Sequence, residues 1–455
     1  MFRERIKDLI DWKLNKKRKP LIFLGARQVG KTWLIHEFGK TEYKQMVYVN
    51  FEDEDAPRDI FQSDFNIDRI ITLLNAYAGF KITAEDTLLV FDEIQTASRG
   101  VTALKYFYEK ASQYQLIAAG SLLGITIHPE DSFPVGKVEF LTLHPLSFTE
   151  FLLAMEEPAL VELIEKREWE LVNTFNFKLI NYLRYYFFVG GMPEAVLRFS
   201  QNRDWNEVRK IQQNILKSYE NDFSKHAPKE ILPRIKMVWE SIPAQLAKEN
   251  KKFIYGVIKE GARAKDFELA IQWLVDSGLL HKVFSVSKTA LPLAAYKEFS
   301  AFKLYHNDTG LLCAMTKISA KTILNSDAVF IEFKGALTEQ FVFQQLIQNE
   351  DLAIHYFTFS NSKYEIDFII QNENDEIIPL EVKSGTNLKA HSFKLFCEKF
   401  QPEIAIRTSL SNYKKENWLI NIPLYILKEY FKGDDFKLSK SLRYKIRRTQ
   451  TEIII

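Results

Sequence analysis

The sequence predicts an α/β protein whose first domain is a parallel sheet covered by helices. Three observations predict this class. Short apolar strands alternate with helical stretches through the first third of the chain, the glycine-rich segment GARQVGKT directly follows the first strand, and the strand LLVFDE ends on two acids. Alternation of strands and helices is typical of a parallel sheet with helices on its faces.

Apolar segments in the first third are the expected strands of this sheet. They are LIFLG at 21–25, MVYVNFE at 46–52, TLLVFDE at 87–93, QLIAAGS at 115–121 and VEFLTLHPL at 138–146. The segments between them have helical character, so we expect the strands to run in the same direction.

Length and composition bound the class of protein. A chain of 455 residues exceeds what one core usually organises, and we expect about three domains. No apolar run approaches the length of a membrane span, and the N-terminal segment lacks the apolar core of a secretory signal. We therefore expect a cytoplasmic protein with no membrane partner. Cys313 and Cys397 are expected to be free thiols, and a net charge of +2 neither demands nor excludes nucleic acid.

The chain divides into four expected regions. Residues 1–146 hold the alternating strands and helices, and residues 147–210 have the helical spacing of a small lid. Residues 211–300 are helical and end in a strand-rich stretch, which fits a winged-helix module, with Gly278 capping a helix. Residues 301–455 form a second α/β unit.

The segment GARQVGKT matches the phosphate-loop pattern GxxxxGK[ST] between a strand and a helix. Glycines let the backbone wrap phosphates closely, and amide N–H groups at the helix N-terminus supply positive potential. The lysine is expected to reach the β- and γ-phosphates of ATP, and the threonine hydroxyl to coordinate Mg²⁺. The expected nucleotide-binding residues are Gly25, Ala26, Arg27, Gln28, Val29, Gly30, Lys31 and Thr32.

Asp92 and Glu93 end the strand LLVFDE, at the sheet edge where open α/β sheets bind ligands. Asp92 is expected to hold Mg²⁺, and Glu93 to polarise the attacking water as the catalytic base. Alone, two acids after a strand are often only a solvated turn, and the phosphate loop favours the functional interpretation. The strand at 46–52 indicates the sheet class with a strand inserted between the two motifs, whose members are usually ATPases.

Two further side chains are weaker candidates for the same site. Ser121 follows the strand QLIAAG and is predicted to contact the γ-phosphate or the attacking water, the alternative being a helix cap. Lys137 is a candidate cation for a neighbouring subunit, the alternative being an ordinary surface lysine. The sequence therefore assigns no arginine finger and leaves oligomerisation open.

The order of motifs along the chain resembles a prokaryotic family of AAA-type ATPases with a C-terminal domain of unknown function. The resemblance covers about residues 15–430 and rests on GARQVGKT, LLVFDEIQ, AAGS, FPVGKVEFLTLHPLSFTEFL, VGGMPEAV, FKLYHNDTGLL, GALTEQFV, EIDF and PLEVKSG. It implies an AAA-type ATP-binding core, a helical lid, a winged-helix region and a restriction-endonuclease-like C-terminal fold. Many members carry arginine where Lys137 stands, and the family implies no known biological task.

A second group of polar residues lies in the C-terminal region. Glu339 on a helix, Asp367 in YEID, and Glu381 and Lys383 in EVK follow the E…D…ExK order of restriction-endonuclease-like folds. Asp367 and Glu381 are predicted to bind Mg²⁺, Glu339 to complete the shell through water, and Lys383 to stabilise developing charge. The alternative is a polar strand face or a cross-strand ion pair.

Basic residues suggest DNA as a partner, because clustered positive charge binds phosphates. They are Lys251, Lys252, Lys259, Arg263 and Lys265 in the expected winged helix, and Lys437, Lys440, Arg443, Lys445, Arg447 and Arg448 near the C-terminus. The alternative is a solvated charged face.

The leading hypothesis is a Mg²⁺-dependent ATPase that couples its nucleotide state to DNA binding or processing. The rival is a nucleotide-dependent scaffold that binds a protein partner with little turnover and no nuclease activity.

Overall fold

The structure is a computed structural model that describes residues 1–120, 133–248, 251–325, 331–359, 364–385, 391–416 and 418–432. Ser121 and the predicted basic residues from Lys437 to Arg448 lie outside the described residues. Among the helices that the structure describes, none has the length and apolar character required to cross a membrane.

The N-terminal part forms a five-stranded parallel sheet with the strand order β2-β3-β4-β1-β5. Its elements are α1 (Ile6–Leu14), β1 (Leu21–Leu24), α2 (Lys31–Glu42), β2 (Gln45–Asn50), α3 (Ile67–Ala78), β3 (Thr87–Asp92), α4 (Gly100–Lys110), β4 (Gln115–Ala119) and β5 (Glu139–Thr142). The predicted α/β class and parallel sheet are confirmed. All residues of β3 and β4 are buried, as expected for strands covered on both faces.

Successive side chains of these strands enter two different cores. Ile22 and Leu89 pack with helices α3 and α4, whereas Phe23 and Val90 face the larger core that continues through the rest of the protein. Because strand side chains alternate between faces, β1 and β3 each contribute to both cores. The sheet is therefore fixed in register from both sides.

The strand inserted between the two motif strands is β4. In the structure β4 pairs with β1 on one side and with β3 on the other, whereas β2 lies at the edge of the sheet. The expectation based on segment 46–52 named the wrong strand, because order along the chain does not specify order in a sheet. The sheet class itself is the expected one.

Between the first sheet and residue 276, the residues that the structure describes form helices and no strand. They are α5 (Phe148–Ala154), α6 (Pro158–Glu165), α7 (Trp169–Thr174), α8 (Asn176–Val189), α9 (Pro193–Asn202), α10 (Trp205–His226), α11 (Leu232–Leu246), α12 (Tyr255–Ile258) and α13 (Ala264–Asp276). Ser147 caps α5 in a reciprocal capping box with Glu150, which explains where this helix begins. Helix α10 runs across the predicted boundary at residue 210.

The C-terminal part contains an eight-stranded mixed sheet with the order β12-β13-β11-β10-β9-β8-β6-β7. Its elements are β6 (Leu280–Val286), β7 (Lys297–His306), α14 (Thr309–Met315), α15 (Ala320–Asn325), α16 (Ile331–Leu346), β8 (Ala353–Thr358), β9 (Glu365–Gln371), β10 (Ile377–Val382), α17 (His391–Phe400), β11 (Ile406–Ser409), β12 (Lys414–Lys415), β13 (Ile420–Pro423) and α18 (Leu427–Lys432). The antiparallel pair β6–β7 belongs to this sheet. The predicted boundary between residues 300 and 301 therefore falls inside β7.

A buried carboxylate joins the helices to the C-terminal part. Asp308 accepts hydrogen bonds from the backbone N–H groups of Gly191 (2.6 Å) and Leu311 (2.9 Å) and from Nε2 of Gln344 (3.1 Å). A Cβ atom at Gly190, whose φ is +76°, would lie 2.2 Å from Asp308 Oδ1. Glycine is therefore required where α8 ends and the chain passes this carboxylate.

Candidate functional site

The phosphate-loop segment connects the end of β1 to the start of α2, at the carboxyl edge of the parallel sheet. Gly25 has a φ of +148°, and a Cβ atom there would lie 2.4 Å from the carbonyl oxygen of Leu143. Gly30 precedes α2 with a φ of +94°, and its Cβ would lie 3.3 Å from Cγ of Pro193. The loop thus requires both glycines of the motif, because neighbouring segments pack directly against its backbone.

Lys31 is bound by carbonyl groups of its own loop. Its Nζ donates to the oxygens of Gly25 (2.7 Å) and Ala26 (3.0 Å). Burial lowers the pKa of Lys31 to about 8, although the nearby Glu93 and Asp92 oppose the shift. The ammonium group therefore lies between the loop and the two acids of β3.

Thr32 and Asp92 lie side by side, with 3.5 Å between Oγ1 and Oδ2. Asp92 also accepts a hydrogen bond from the hydroxyl of Tyr48, and its Oδ1 accepts one from the backbone N–H of Glu93 at 3.0 Å. A hydroxyl and a carboxylate are oxygen ligands of the type that Mg²⁺ takes beside phosphates. These residues therefore fit the ion that would accompany ATP.

Glu93 occupies the turn out of β3 in a left-handed backbone conformation, with φ 49° and ψ 42°. Such a conformation costs free energy in a residue other than glycine and is often found at functional sites. The side chain accepts a hydrogen bond from Nε2 of Gln95, and burial raises its pKa. The turn thus holds a carboxylate of increased basicity beside Lys31.

Arg27 connects the loop to helix α10. Its guanidinium donates to Oδ1 of Asp222 at 2.6 Å and lies 3.5 Å from Nε2 of His226, while its carbonyl oxygen accepts from the Tyr219 hydroxyl at 2.8 Å. Gly278 approaches the loop next to Ala26, where an added Cβ would lie 3.6 Å from the Ala26 nitrogen. Residues from beyond the N-terminal sheet therefore contact the phosphate loop.

The remaining predicted residues of this site have different outcomes. Ala26 and Val29 are buried, and Gln28 has a φ of +64° in the turn of the loop. Lys137 pairs with Glu109 of the same chain at 3.2 Å. Ser121 lies outside the described residues, so its role stays a prediction.

The predicted C-terminal site residues lie close together, but Glu339 is engaged by other groups. Its Oε1 accepts from Lys303 Nζ (3.0 Å) and from the Tyr305 hydroxyl, and its Oε2 pairs with Lys251. Burial alone would raise the pKa of Glu339, but Lys251 and Lys303 outweigh it and lower this pKa to about 2. Both carboxylate oxygens of Glu339 therefore already have cationic partners.

Of the other predicted members, Asp367 lies on β9, Glu381 lies on the adjacent β10, and Lys383 directly follows β10. Asp367 accepts from the backbone N–H of Val382 at 2.8 Å, and Lys383 donates to Oε1 of Glu381 at 2.7 Å. Burial and the neighbouring Asp367 raise the pKa of Glu381 to about 7. In the part of the chain that the structure describes, no three His, Cys, Asp or Glu side chains are arranged to hold a metal ion.

Among the residues that the sequence analysis missed, Tyr48, Asp222, Lys303 and Glu365 contact these sites. Tyr48 was findable, because it belongs to the predicted strand 46–52 and β2 pairs directly with β3. Asp222 and Lys303 lie far along the chain from their partners, and no local spacing marks them. Glu365 stands two residues before Asp367 and faces the same side of β9, a period-two signal that was available.

Family models match three parts of the chain. Residues 17–152 match the model of an AAA domain, a range that contains the phosphate loop, Asp92 and Glu93. The AAA-type prediction is confirmed for this part of the chain, and the match supports nucleotide binding there. Residues 180–322 and 334–427 match two domains of unknown function, DUF8612 and DUF4143. The C-terminal match agrees with the predicted family order, while the winged-helix and restriction-endonuclease-like folds stay predictions.

Similar individual proteins add little about function. An uncharacterized protein of Methanocaldococcus jannaschii, MJ1544, is 24% identical over 393 residues, which is 83% of this chain and 78% of that protein. The Walker-type ATPase PABY2304 of Pyrococcus abyssi aligns over 69% of this chain and 95% of its own, with 14% identity and a TM-score of 0.42. Cdc6p from Pyrobaculum aerophilum aligns over 72% and 95%, with 11% identity and a TM-score of 0.26.

The pKa of Lys31 predicts that nucleotide binding takes up a proton. In the structure this pKa is about 8, and phosphate oxygens next to the ammonium group would raise it. Affinity for ADP should therefore fall as pH rises above about 8, with uptake of up to about one proton. Calorimetric titrations at pH about 9, in two buffers of different ionisation enthalpy, measure the uptake.

The same titrations at pH about 7.5 should show less uptake, because more Lys31 is already charged there. A Lys44→Met variant is the matched control, since Lys44 is an exposed lysine paired with Asp86. It should keep the uptake. Equal binding enthalpies in both buffers at the higher pH would contradict the prediction.

Proposed function

We propose that this protein is a Mg²⁺-dependent ATPase whose catalytic site is formed by the phosphate loop, Asp92 and Glu93. The observation that carries the proposal is the position of Lys31, Thr32, Asp92 and Glu93 at one edge of the parallel sheet. Bound Mg²⁺ would neutralise phosphate charge, and Thr32 and Asp92 are the residues that would hold it. Glu93 would accept a proton from the attacking water, and its raised pKa favours this role.

A Glu93→Gln variant tests this proposal. Glutamine keeps the size of the side chain and cannot accept the proton, so ATP binding should persist while the turnover rate falls about a hundredfold or more. Steady-state phosphate release and ATP titration measure the two quantities. Glu85→Gln, which changes an exposed glutamate before β3, should leave both unchanged.

Two other outcomes would count against the assignment. Unchanged turnover in Glu93→Gln would exclude Glu93 as the base. Negligible turnover by the wild type, together with tight ATP binding, would instead favour the nucleotide-dependent scaffold.

We further propose that the nucleotide state is coupled to DNA through the regions that follow the AAA domain. Helix α10 and Gly278 touch the phosphate loop, which gives the nucleotide a physical route to residues outside the first sheet. Four of the basic residues predicted to bind DNA follow α11 and are exposed. They are Lys252, Lys259, Arg263 and Lys265. Lys251 differs from them, because it pairs with the buried Glu339.

Fluorescence anisotropy with a labelled DNA duplex tests the DNA proposal. Binding should weaken with salt, and a Lys259→Glu/Lys265→Glu variant should bind more weakly with a shallower salt dependence, because phosphate contacts are lost. Lys40→Glu/Lys110→Glu changes the same number of exposed charges in the AAA domain and should bind like the wild type. No binding by the wild type at low salt would defeat the proposal.

A nuclease-like role for the C-terminal acids Glu365, Asp367 and Glu381 is supported by one specific observation. Oε2 of Glu365 and Oε2 of Glu381 are buried and have no hydrogen-bond partner within the described residues, and a bound cation would satisfy such oxygens. Asp367 and Glu381 are the residues that would hold Mg²⁺, with Lys383 beside them. The lysine partners of Glu339 oppose the full predicted shell.

Cleavage assays decide this second hypothesis. Mg²⁺- or Mn²⁺-dependent cutting of plasmid DNA should disappear in Lys383→Ala and persist in Lys394→Ala, which changes an exposed lysine of α17. Cutting that survives Lys383→Ala would point to a contaminant or another site. Intact DNA after incubation with the wild-type protein would contradict the nuclease hypothesis.

A further inference from the structure

Arg3 lies buried against the phosphate loop, with 3% of its surface exposed. Its guanidinium donates to the carbonyl oxygen of Val29 at 2.7 Å, to the carbonyl oxygen of His144 and to Oε1 of Glu150 at 3.1 Å. A Cβ atom at Gly30 would lie 3.5 Å from Nη1 of Arg3. The side chain thus contacts the loop, the segment after β5 and helix α5 at once.

The bond to Val29 fixes the orientation of one peptide unit of the loop. In a planar trans peptide, the C=O group of Val29 and the N–H group of Gly30 point in opposite directions. A guanidinium that holds this C=O therefore directs the Gly30 N–H away from Arg3, to the opposite side of the loop. Amide N–H groups on the inner side of a phosphate loop are the ones that cradle the α- and β-phosphates.

Few side chains outside the loop bond to its backbone carbonyls. Among the described residues, Lys31 of the loop itself bonds to the oxygens of Gly25 and Ala26, and the Tyr219 hydroxyl bonds to that of Arg27. Arg3 is the external donor to Val29, directly before the glycine of the GK pair. Its position therefore bears on the amide groups at the start of α2.

The positive charge of Arg3 is balanced by the carboxylate of Glu150. Glu150 is also buried, and its carboxylate further accepts from the backbone N–H groups of Glu4 (2.7 Å) and Ser147 (2.8 Å). This pairing accounts for the burial of the charge, since a buried ion needs a hydrogen-bonded partner. The two Nη groups of Arg3 donate instead to the carbonyl oxygens of Val29 and His144. A lysine ammonium lacks this forked geometry.

We propose that Arg3 is a positioning residue that fixes the phosphate loop so that the Gly30 N–H group faces the β-phosphate. The proposal rests on nucleotide binding at this loop, which belongs to the proposed function. Arg3 acts through Val29 and does not touch the nucleotide. Loss of the forked hydrogen bonds should therefore weaken the binding of nucleotides that carry a β-phosphate more than that of nucleotides that lack one.

An Arg3→Lys variant tests this, because lysine keeps the charge for Glu150 and loses the forked bonds. Affinity for ADP should fall roughly tenfold, as expected for losing a hydrogen bond from a charged group, while affinity for AMP should stay within about twofold. ADP is titrated directly with a fluorescent analogue, and AMP is measured by competition against that analogue. The ratio of the two affinities is the readout, since a loss of folded protein alone would not change it.

Matched variants separate positioning from a merely structural role. Arg69→Lys changes an arginine of the same domain that also bonds to a carboxylate and a backbone carbonyl, and it should leave the ratio unchanged. Glu150→Gln should lower the melting temperature and keep the ratio, because the bond from Arg3 to Val29 remains. If Arg3→Lys does not fold, Arg3→Gln, which keeps an amide donor, is titrated in the same way.

The possible failures are distinguishable. No ADP binding by the wild type would overturn the proposed nucleotide function and the role of Arg3 with it. Normal ADP binding by the wild type and an unchanged ADP-to-AMP ratio in the Arg3 variant would overturn only the role of Arg3.

Discussion

The buried carboxylate of Asp308 is the interaction on which the relative placement of the helices and the C-terminal part depends. An ionised carboxylate away from water costs several kcal/mol unless donors surround it, and here three donors from separate segments do so. One of them is the backbone of Gly191, between α8 and α9. Asp308 thereby ties the helix pair that follows the AAA domain to the start of α14 and to Gln344 of α16.

The same junction reaches the nucleotide site through a short path. Gly191 lies two residues before Pro193, and Pro193 packs against Gly30 of the phosphate loop. The loop is also contacted by Tyr219 of α10, and Gly278 approaches it, so three segments that follow the first sheet lie against it. Such contacts are what the proposed coupling between the nucleotide and the later parts of the chain requires.

Local patterns made the phosphate loop and the acids of β3 predictable, because the strand, the loop and the helix are contiguous in sequence. The partners of Glu339 were not predictable, since Lys303 and Lys251 are separated from it by 36 and 88 residues. Two lysines there change the chemistry expected of the E…D…ExK pattern, which specifies residue types and not their neighbours. The expectation about the inserted strand was wrong for a related reason. Tertiary packing, and not order along the chain, places β4 between β1 and β3.

Glu4, which follows Arg3, links the segment before α1 to helix α18. Glu4 accepts from Nζ of Lys428 at 2.6 Å and from Nζ of Lys432 at 3.1 Å, across 424 and 428 residues of chain. During translation at about 5–20 residues per second, these lysines are made roughly 20–90 s after Glu4. The segment that braces the phosphate loop must therefore wait, incompletely anchored, while the rest is synthesised. Contacts of such long range also slow folding, so Glu4 is expected to gain its lysine partners only when α18 docks.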